Sequence, residues 1–89
     1  MKYTTTGFEL KASRFGGDFY YLFFKRQDGK SFRTCLDPKM RNFKRWEPVL
    51  KLVKEGKEVI LYSLNEKKND MIDADSFFKI EEQNVQRTI

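Results

Sequence analysis

The sequence predicts a mainly β fold with one short helix, its elements running strand, strand, strand, helix, strand, strand. Three observations predict it. Five segments alternate in polarity or are continuously apolar, and they are rich in the Phe, Tyr, Ile and Val that strands favour. The dipeptide Asp28-Gly29 separates two of these segments and is a strong hairpin signal. Apolar residues at helical spacing surround Pro48, a residue favoured in a first helical turn, and stop before Gly56.

The first two strands are predicted on either side of a glycine turn. Residues 4–13 alternate in polarity, which indicates a half-buried strand. One of its faces is predicted to carry Thr4, Thr6, Phe8, Leu10 and Ala12. Gly16-Gly17 marks the turn, and residues 19–26 form a second strand dominated by aromatic side chains.

The third strand, residues 31–36, returns from the Asp28-Gly29 turn and determines which rings are exposed. A two-residue turn places Phe24 opposite Arg33, and residues directly opposite each other share a face. The predicted core face then holds Phe19, Tyr21, Phe23, Lys25, Phe32, Thr34 and Leu36. The predicted exposed face holds Tyr20, Leu22, Phe24, Arg26, Ser31, Arg33 and Cys35. A three-residue turn or a bulge would exchange the faces, and the exposed set would then be Tyr21, Phe23, Lys25 and Phe32.

The helix is predicted over residues 47–55, after a basic connector at residues 39–45. Its apolar positions are Trp46, Val49, Leu50 and Val53. Phe43 and Trp46 are interpreted as core residues, because a small barrel needs a large plug beneath its helix.

Two further strands complete the predicted domain. Residues 57–64 form the fourth, residues 65–70 a polar loop, and residues 71–80 a fifth strand bent near Asp75-Ser76. The domain is expected to span residues 1–82, and residues 83–89 are expected to be a frayed polar tail.

Composition excludes several classes of chemistry. The 89 residues suit one domain and contain no histidine and a single cysteine, Cys35. A His base, a His metal ligand, a Cys–His pair and an intrachain disulfide are therefore excluded, and no enzymatic activity or cofactor is expected. No apolar run is long enough to span a membrane and the N-terminus does not resemble a signal peptide, so no membrane association is expected. A lone cysteine is typical of a reducing compartment, so a cytoplasmic location is expected.

Basic and aromatic residues concentrate in one part of the chain. The net charge is +5, and residues 1–50 hold 11 Lys and Arg against 5 Asp and Glu. Nine of the 14 aromatic residues lie between Phe15 and Trp46. Rings on which bases stack, beside cations that neutralise phosphates, are typical of proteins that bind single-stranded nucleic acid. The plain alternative is that strands favour aromatic residues and surfaces favour lysine.

The predicted nucleic-acid site follows from the two-residue turn. Tyr20 and Phe24 would stack on bases. The predicted phosphate contacts are Arg26, Arg33, Lys39, Arg41, Lys44, Arg45, Lys67 and Lys68. Nothing in the sequence separates DNA from RNA as the partner.

Two family resemblances arise from these elements. The element order over residues 3–81 resembles the OB-fold, a five-stranded barrel with a helix between strands three and four, and implies binding of single strands on the face of strands two and three. The loops at residues 14–18 and 65–70 would assist. Residues 15–51, with their aromatic–basic hairpin and later Trp46, resemble the single-stranded-DNA-binding domain of the positive transcriptional coactivators. That family has four strands before its helix, whereas this chain has three.

Other functions also fit the sequence. A small interaction module or inhibitor, of phage or mobile-element type, could dock on an acidic protein through the same aromatic–basic face, since aromatic residues and Arg dominate binding hot spots. A structural subunit that assembles through a sheet edge is a third hypothesis, and the oligomeric state is open. Asp73 and Asp75, near Glu66 and Asp70, could form a two-carboxylate Mg²⁺ site, but a solvent-facing edge with an Asp-Ser turn is the favoured interpretation.

Overall fold

A computed structural model describes residues 1–81. Its elements in chain order are β1 (Lys2–Ala12), β2 (Asp18–Arg26), β3 (Ser31–Leu36), α1 (Phe43–Lys54), β4 (Ile60–Tyr62), β5 (Glu66–Lys67), a 3₁₀ turn (Lys68–Asp70), β6 (Met71–Ile72) and β7 (Lys79–Ile80). The predicted mainly β fold with one helix is confirmed. The predicted number of strands is wrong, because the described residues contain seven strands instead of five. The predicted tail, residues 83–89, and residue 82 of the predicted domain lie outside the described residues.

The strands form one curled sheet in the order β5-β6-β3-β2-β1-β4-β7. Within residues 1–81 the β3–β6 pair is parallel and the other pairs are antiparallel. Residues 71–80 do not form the single bent strand that the sequence predicts. They form β6, which pairs with β3, and β7, which pairs with β4. This one segment therefore pairs with strands toward both ends of the strand order.

Helix α1 covers the concave side of the sheet and supplies much of the core. Trp46, Val49, Leu50 and Val53 are buried, as their spacing predicts. The Trp46 ring lies 6.2 Å from that of Phe24 and 4.4 Å from that of Phe78, measured between centroids. Its interpretation as a core residue is therefore confirmed.

The helix begins at Phe43, four residues before its predicted start. Turn bonds from the Phe43 N–H to the Met40 carbonyl and from the Arg45 N–H to the Asn42 carbonyl lead the chain into it. Pro48 consequently lies inside the helix and not in its first turn. Its missing N–H removes one helical bond, at an exposed position where water can solvate the freed carbonyl. The helix ends at Lys54, one residue before its predicted end, and Gly56 follows with a φ of 83° and donates to the Val53 carbonyl.

The register of the β2–β3 hairpin differs from the predicted one. The Arg26 N–H donates to the Lys30 carbonyl (2.8 Å) and the Gly29 N–H donates to the Arg26 carbonyl (2.7 Å). The loop therefore has three residues, with Gly29 in the left-handed conformation (φ 95°) that a bulge requires after a type I turn. Phe24 pairs with Phe32, and Phe23 pairs with Arg33. The predicted sides are thus exchanged on β2 only, where Phe24 now points into the core. On β3 the predicted sides are confirmed, because Phe32, Thr34 and Leu36 are buried and Ser31, Arg33 and Cys35 are exposed.

A second irregularity lies in β1. Thr5 pairs with Phe24 and Gly7 with Phe23, so Thr6 is an extra residue in the strand. The bulge places buried Tyr3 and Thr5 on the same side as Phe8 and Leu10, which corrects the simple alternation that the sequence predicts. Beyond the bulge, the hairpin of β1 and β2 extends past the core as an arm (residues 8–20, hereafter the hairpin arm). Phe15, near its tip, is 92% exposed.

A charged cluster lies at the loop end of the β2–β3 hairpin, at the other end of β2 from the hairpin arm. The Arg26 guanidinium donates to Asp28 (2.9 and 2.7 Å) and to Glu66 (2.7 Å), and the Tyr3 hydroxyl also donates to Glu66. Burial and the Glu66 carboxylate raise the pKa of Tyr3 to about 12. Hydrogen bonds from Arg26 lower the pKa of Asp28 to about 2, and those from Tyr3 and Arg26 lower the pKa of Glu66.

This cluster predicts a loss of stability in acid. A carboxyl group whose pKa is lower in the folded than in the unfolded state stabilises the fold above its unfolded pKa, roughly 4, and this contribution disappears as the pH falls toward the folded value. We expect the thermal unfolding midpoint, followed by circular dichroism, to decrease as the pH is lowered from roughly 6 to roughly 2. Arg26→Met should reduce the size of that fall, because it returns both carboxyl pKa values toward normal. Lys25→Gln on the same strand is the control and should keep the full fall; an equal reduction in both variants would contradict this account.

Candidate nucleic-acid interface

Three aromatic rings form a row on the convex side of the sheet. Phe19, Tyr21 and Phe23 alternate along β2, and residues two apart on a strand share a face. The Phe19 and Tyr21 centroids are 5.3 Å apart in an edge-on arrangement, and those of Tyr21 and Phe23 are 6.2 Å apart with a 37° tilt. All three rings are half-buried, so each presents part of its surface to solvent.

Cationic side chains from the neighbouring strands flank this row. Arg33 pairs with Phe23 across the ladder, and its guanidinium lies 5.5 Å from the centroid of the Tyr21 ring. Lys25 is exposed at one end of the row, and Lys11 pairs with Phe19 at the other. The convex surface of β1–β3, hereafter the outer face, carries Glu9, Lys11, Phe19, Tyr21, Phe23, Lys25, Ser31, Arg33 and Cys35.

The outer face is open beside Phe23. The residue opposite Phe23 on β1 is Gly7, and a Cβ placed on Gly7 would have nothing within 4 Å. On the other flank, Phe23 and Arg33 share a depression of about 240 Å³ with Asn69 and Asp70 of the 3₁₀ turn. Lys30 forms an ion pair with Asp70 (3.3 Å) and holds that turn against the hairpin. A planar group could therefore approach Phe23 from either flank.

The sequence-predicted stacking residues are not on this face. Phe24 is 1% exposed and packs against Trp46, so it has no surface to offer a base. Tyr20 is half-buried on the inner side of the hairpin arm, where its hydroxyl accepts a hydrogen bond from Lys54 (3.0 Å). The Phe24 assignment is corrected, because the three-residue loop turns its side chain into the core. The Tyr20 assignment stays a prediction, with its ring on the inner side and away from the outer face.

The predicted phosphate contacts on the hairpin separate into two cases. Arg33 lies on the outer face, among the rings. Arg26 does not: its side chain is only 18% exposed, and its guanidinium is occupied by Asp28 and Glu66. Its predicted role is corrected to a structural one.

The remaining predicted cations lie at three other places. Lys67 and Lys68 are exposed on β5 and the 3₁₀ turn, at the edge of the sheet next to β6. The Lys39 ammonium approaches Gly17 near the tip of the hairpin arm. Arg41, Lys44 and Arg45 line a separate cavity of about 470 Å³ at the start of α1. No outer-face residue lines that cavity, so the structure does not bring these three cations to the row of rings.

The cavity at the start of α1 has a ring of its own. Phe77 is 80% exposed, and the Arg45 guanidinium lies 4.5 Å from its centroid while donating to the Ser76 carbonyl (2.8 Å). Asp75 and Asn42 complete its lining and are hydrogen-bonded to each other.

The sequence-predicted exposed set missed Phe19, Lys11 and Glu9 altogether. It included Tyr21, Phe23 and Lys25 only under a longer turn. The signal that could have identified them is the position of Gly29, since a glycine at the third position of a three-residue loop is typical of a type I turn with a bulge.

The acidic residues are held in separate interactions. Glu66 accepts from Tyr3 and Arg26, Asp70 pairs with Lys30, and Asp73 accepts from the backbone N–H of Asp75. In the described part of the chain, no three His, Cys, Asp or Glu side chains lie close enough together to hold a metal ion.

Cys35 lies on the outer face, and burial together with the nearby Asp37 raises the pKa of its thiol. A raised pKa leaves less of the reactive thiolate at neutral pH.

No protein-family model, curated protein or solved structure matches this chain. Among residues 1–81 there is also no helix with the length and apolar character needed to cross a membrane.

Proposed function

We propose that this protein binds single-stranded DNA or RNA along its outer face. Tyr21 and Phe23, with Phe19 beside them, stack on bases, and Arg33 and Lys25 contact phosphates. The observation that carries the proposal is the row of three half-exposed rings with a guanidinium against the central one. Stacking on aromatic rings stabilises a bound base by about 1–3 kcal/mol with little regard to its sequence.

The spacing of the rings favours a single strand over a duplex. The centroids are 5.3 and 6.2 Å apart, whereas successive bases in a duplex strand rise by about 3.4 Å. Bases that stack on these rings have to be spread apart, which paired and stacked bases are not. A flexible single strand can open to this spacing at lower cost.

The order of the strands also supports the proposal. A five-stranded barrel with this element order closes when its last strand lies between the third and the fourth strands. In this chain, residues 71–80 pair with β3 through β6 and with β4 through β7. On this interpretation, β6 and β7 are two halves of the last strand of an OB-like barrel. OB-folds bind oligonucleotides on the face of strands two and three, between the first and last hairpin loops. Most residues of the outer face lie on β2 and β3, and the turn containing Asn69 and Asp70 borders it.

The proposal predicts binding that weakens with salt in proportion to the phosphates contacted. The logarithm of the binding constant for a fluorescent oligonucleotide should fall linearly with the logarithm of the salt concentration between about 50 and 200 mM. Arg33→Gln should weaken binding and make the slope shallower by about 0.7, the contribution of one phosphate contact on a single strand. Fluorescence anisotropy with matched DNA and RNA strands measures both quantities.

Lys51→Gln is the matched control. It removes the same charge from an exposed residue of α1 that lines a cavity on the inner side of the molecule. It should leave the slope unchanged. Failure to bind any single strand at about 50 mM salt, or equal effects of the two variants, would overturn the proposal.

A further inference from the structure

Among residues 1–81, the part of β1 that follows the bulge has a backbone edge without a neighbouring strand. Strand β4 pairs with β1 only at residues Lys2, Tyr3 and Thr4, and the Thr5 N–H donates to the Val59 carbonyl. From Phe8 to Ala12, β1 pairs with β2 on one side, and within residues 1–81 no backbone bond reaches its other side. An open edge of this kind is a template for another strand.

The side chains along this edge are exposed on both faces. On the inner side of the hairpin arm, Phe8 is 38% and Leu10 is 52% exposed. On the outer face, Glu9 and Lys11 lie side by side as an ion pair with a separation of 3.6 Å. The segment contains no proline that would block pairing.

We propose that a second copy of this chain occupies the edge. The two β1 strands are antiparallel and are related by a two-fold axis that passes between the two Leu10 residues. In this register, Leu10 faces Leu10 of the other copy, and Phe8 faces Ala12 of the other copy. Glu9 of each copy faces Lys11 of the other. The apolar side chains meet on the inner side, and four charges of alternating sign meet on the outer face.

Charge selects this register over its neighbours. Residues opposite each other must lie on the same face of the sheet. The two-fold axis therefore has to pass between two copies of the same residue. An axis through residue 9 or 11 places Glu9 against Glu9 or Lys11 against Lys11, and like charges directly opposite are destabilising. The axis through Leu10 joins opposite charges and also overlaps the whole open segment, since Leu10 is the midpoint of Phe8 and Ala12.

The dimer would join the two outer faces into one surface. A two-fold axis perpendicular to the sheet keeps the convex side of each copy on the same side. The strands β3, β2 and β1 of one copy would then continue into β1, β2 and β3 of the other, with both rows of rings exposed together. The dimer does not require nucleic acid and is tested in its absence.

The paired segment is short, so the dimer is expected to be weak and dependent on concentration, because interfaces below about 1,200 Å² are typical of transient complexes. Sedimentation velocity from about 10 µM to 1 mM, the range for affinities of this order, should show the mass rising from one chain to two. Glu9→Lys alone or Lys11→Glu alone should raise the dissociation constant by roughly tenfold or more, because each places like charges opposite twice. Circular dichroism establishes that each variant is folded.

Two combinations distinguish this register from a general effect of charge. An equimolar mixture of the Glu9→Lys and Lys11→Glu chains should form a heterodimer at least as readily as the wild type forms its dimer, because every opposing pair is again of opposite sign. The double variant Glu9→Lys/Lys11→Glu should dimerise like the wild type. A wild-type chain that stays monomeric up to about 1 mM would overturn the proposal. So would single variants that dimerise like the wild type, since the second copy would then bind elsewhere.

Discussion

Replacing Tyr21 and Phe23 with alanine together should weaken the binding of a single-stranded oligonucleotide by at least about thirtyfold. Each ring that stacks on a base contributes about 1–3 kcal/mol, and 1.4 kcal/mol corresponds to a factor of ten in affinity. Fluorescence anisotropy at one fixed salt concentration measures the effect. The slope of affinity against salt should stay at its wild-type value, because the double variant removes no cation.

The control for this experiment is Phe77→Ala. Phe77 is also an exposed ring beside a guanidinium, that of Arg45, but it lies at the start of α1 and away from the outer face. Its removal should change affinity by less than about twofold, because an alanine there takes no stacking surface from the outer face. Equal losses for Phe77→Ala and the double variant, or a double variant that binds like the wild type, would show that the outer face is not the site.

The rings of the site could be predicted from the sequence as a group, but their exposed side could not. Asp28-Gly29 correctly indicates a hairpin, and the alternation along β2 correctly separates its side chains into two sets. Each set contains aromatic residues, so hydrophobicity does not decide which set is buried. One additional loop residue decides it, through the left-handed conformation of Gly29 and the two bonds from Arg26 to Asp28.

The predicted fifth strand, residues 71–80, is divided into β6 and β7 by contacts with residues that are distant along the chain. The Ala74 carbonyl accepts from both Asn42 and Trp46, and the buried Ser76 hydroxyl donates to Asp73 and accepts from the Asn65 N–H. These bonds take residues 73–76 away from any neighbouring strand. Partners that are 28 and 32 residues away along the sequence leave no local pattern by which such a break could be predicted.

The helix shows the opposite case, because its buried residues follow a local period. Spacing alone identifies the four buried side chains of α1, since a 3.6-residue repeat needs no knowledge of what packs against it. Its start could not be predicted equally well. Pro48 suggests a first turn, whereas the Asn42 side chain is held by Ala74 and Asp75 and the helix begins directly after it, at Phe43.

Trp46→Ala should produce the largest loss of stability of any substitution considered for this chain, about 3–5 kcal/mol in the free energy of unfolding. Trp46 is fully buried, and its ring packs against those of Phe24 and Phe78. Removing it leaves a cavity at the junction of the sheet, the helix and the segment before β7. Small domains are stable by only about 5–15 kcal/mol, so a large share of the folded state would be lost. Urea unfolding followed by far-ultraviolet circular dichroism measures this, because the chain has no other tryptophan to report by fluorescence.

Trp46→Phe separates the loss of the ring from the loss of its hydrogen bond. The indole N–H donates to the Ala74 carbonyl (2.8 Å), but that carbonyl also accepts from the Asn42 side chain (2.7 Å) and keeps a partner when the indole is gone. The phenylalanine variant should therefore lose only about 1–2 kcal/mol, the usual contribution of a hydrogen bond together with a small packing defect. Losses of equal size in the two variants would show that the hydrogen bond, and not the filled volume, holds this part of the core. If packing dominates, Trp46→Phe should bind single strands like the wild type, since the outer face lies on the other side of the sheet from Trp46.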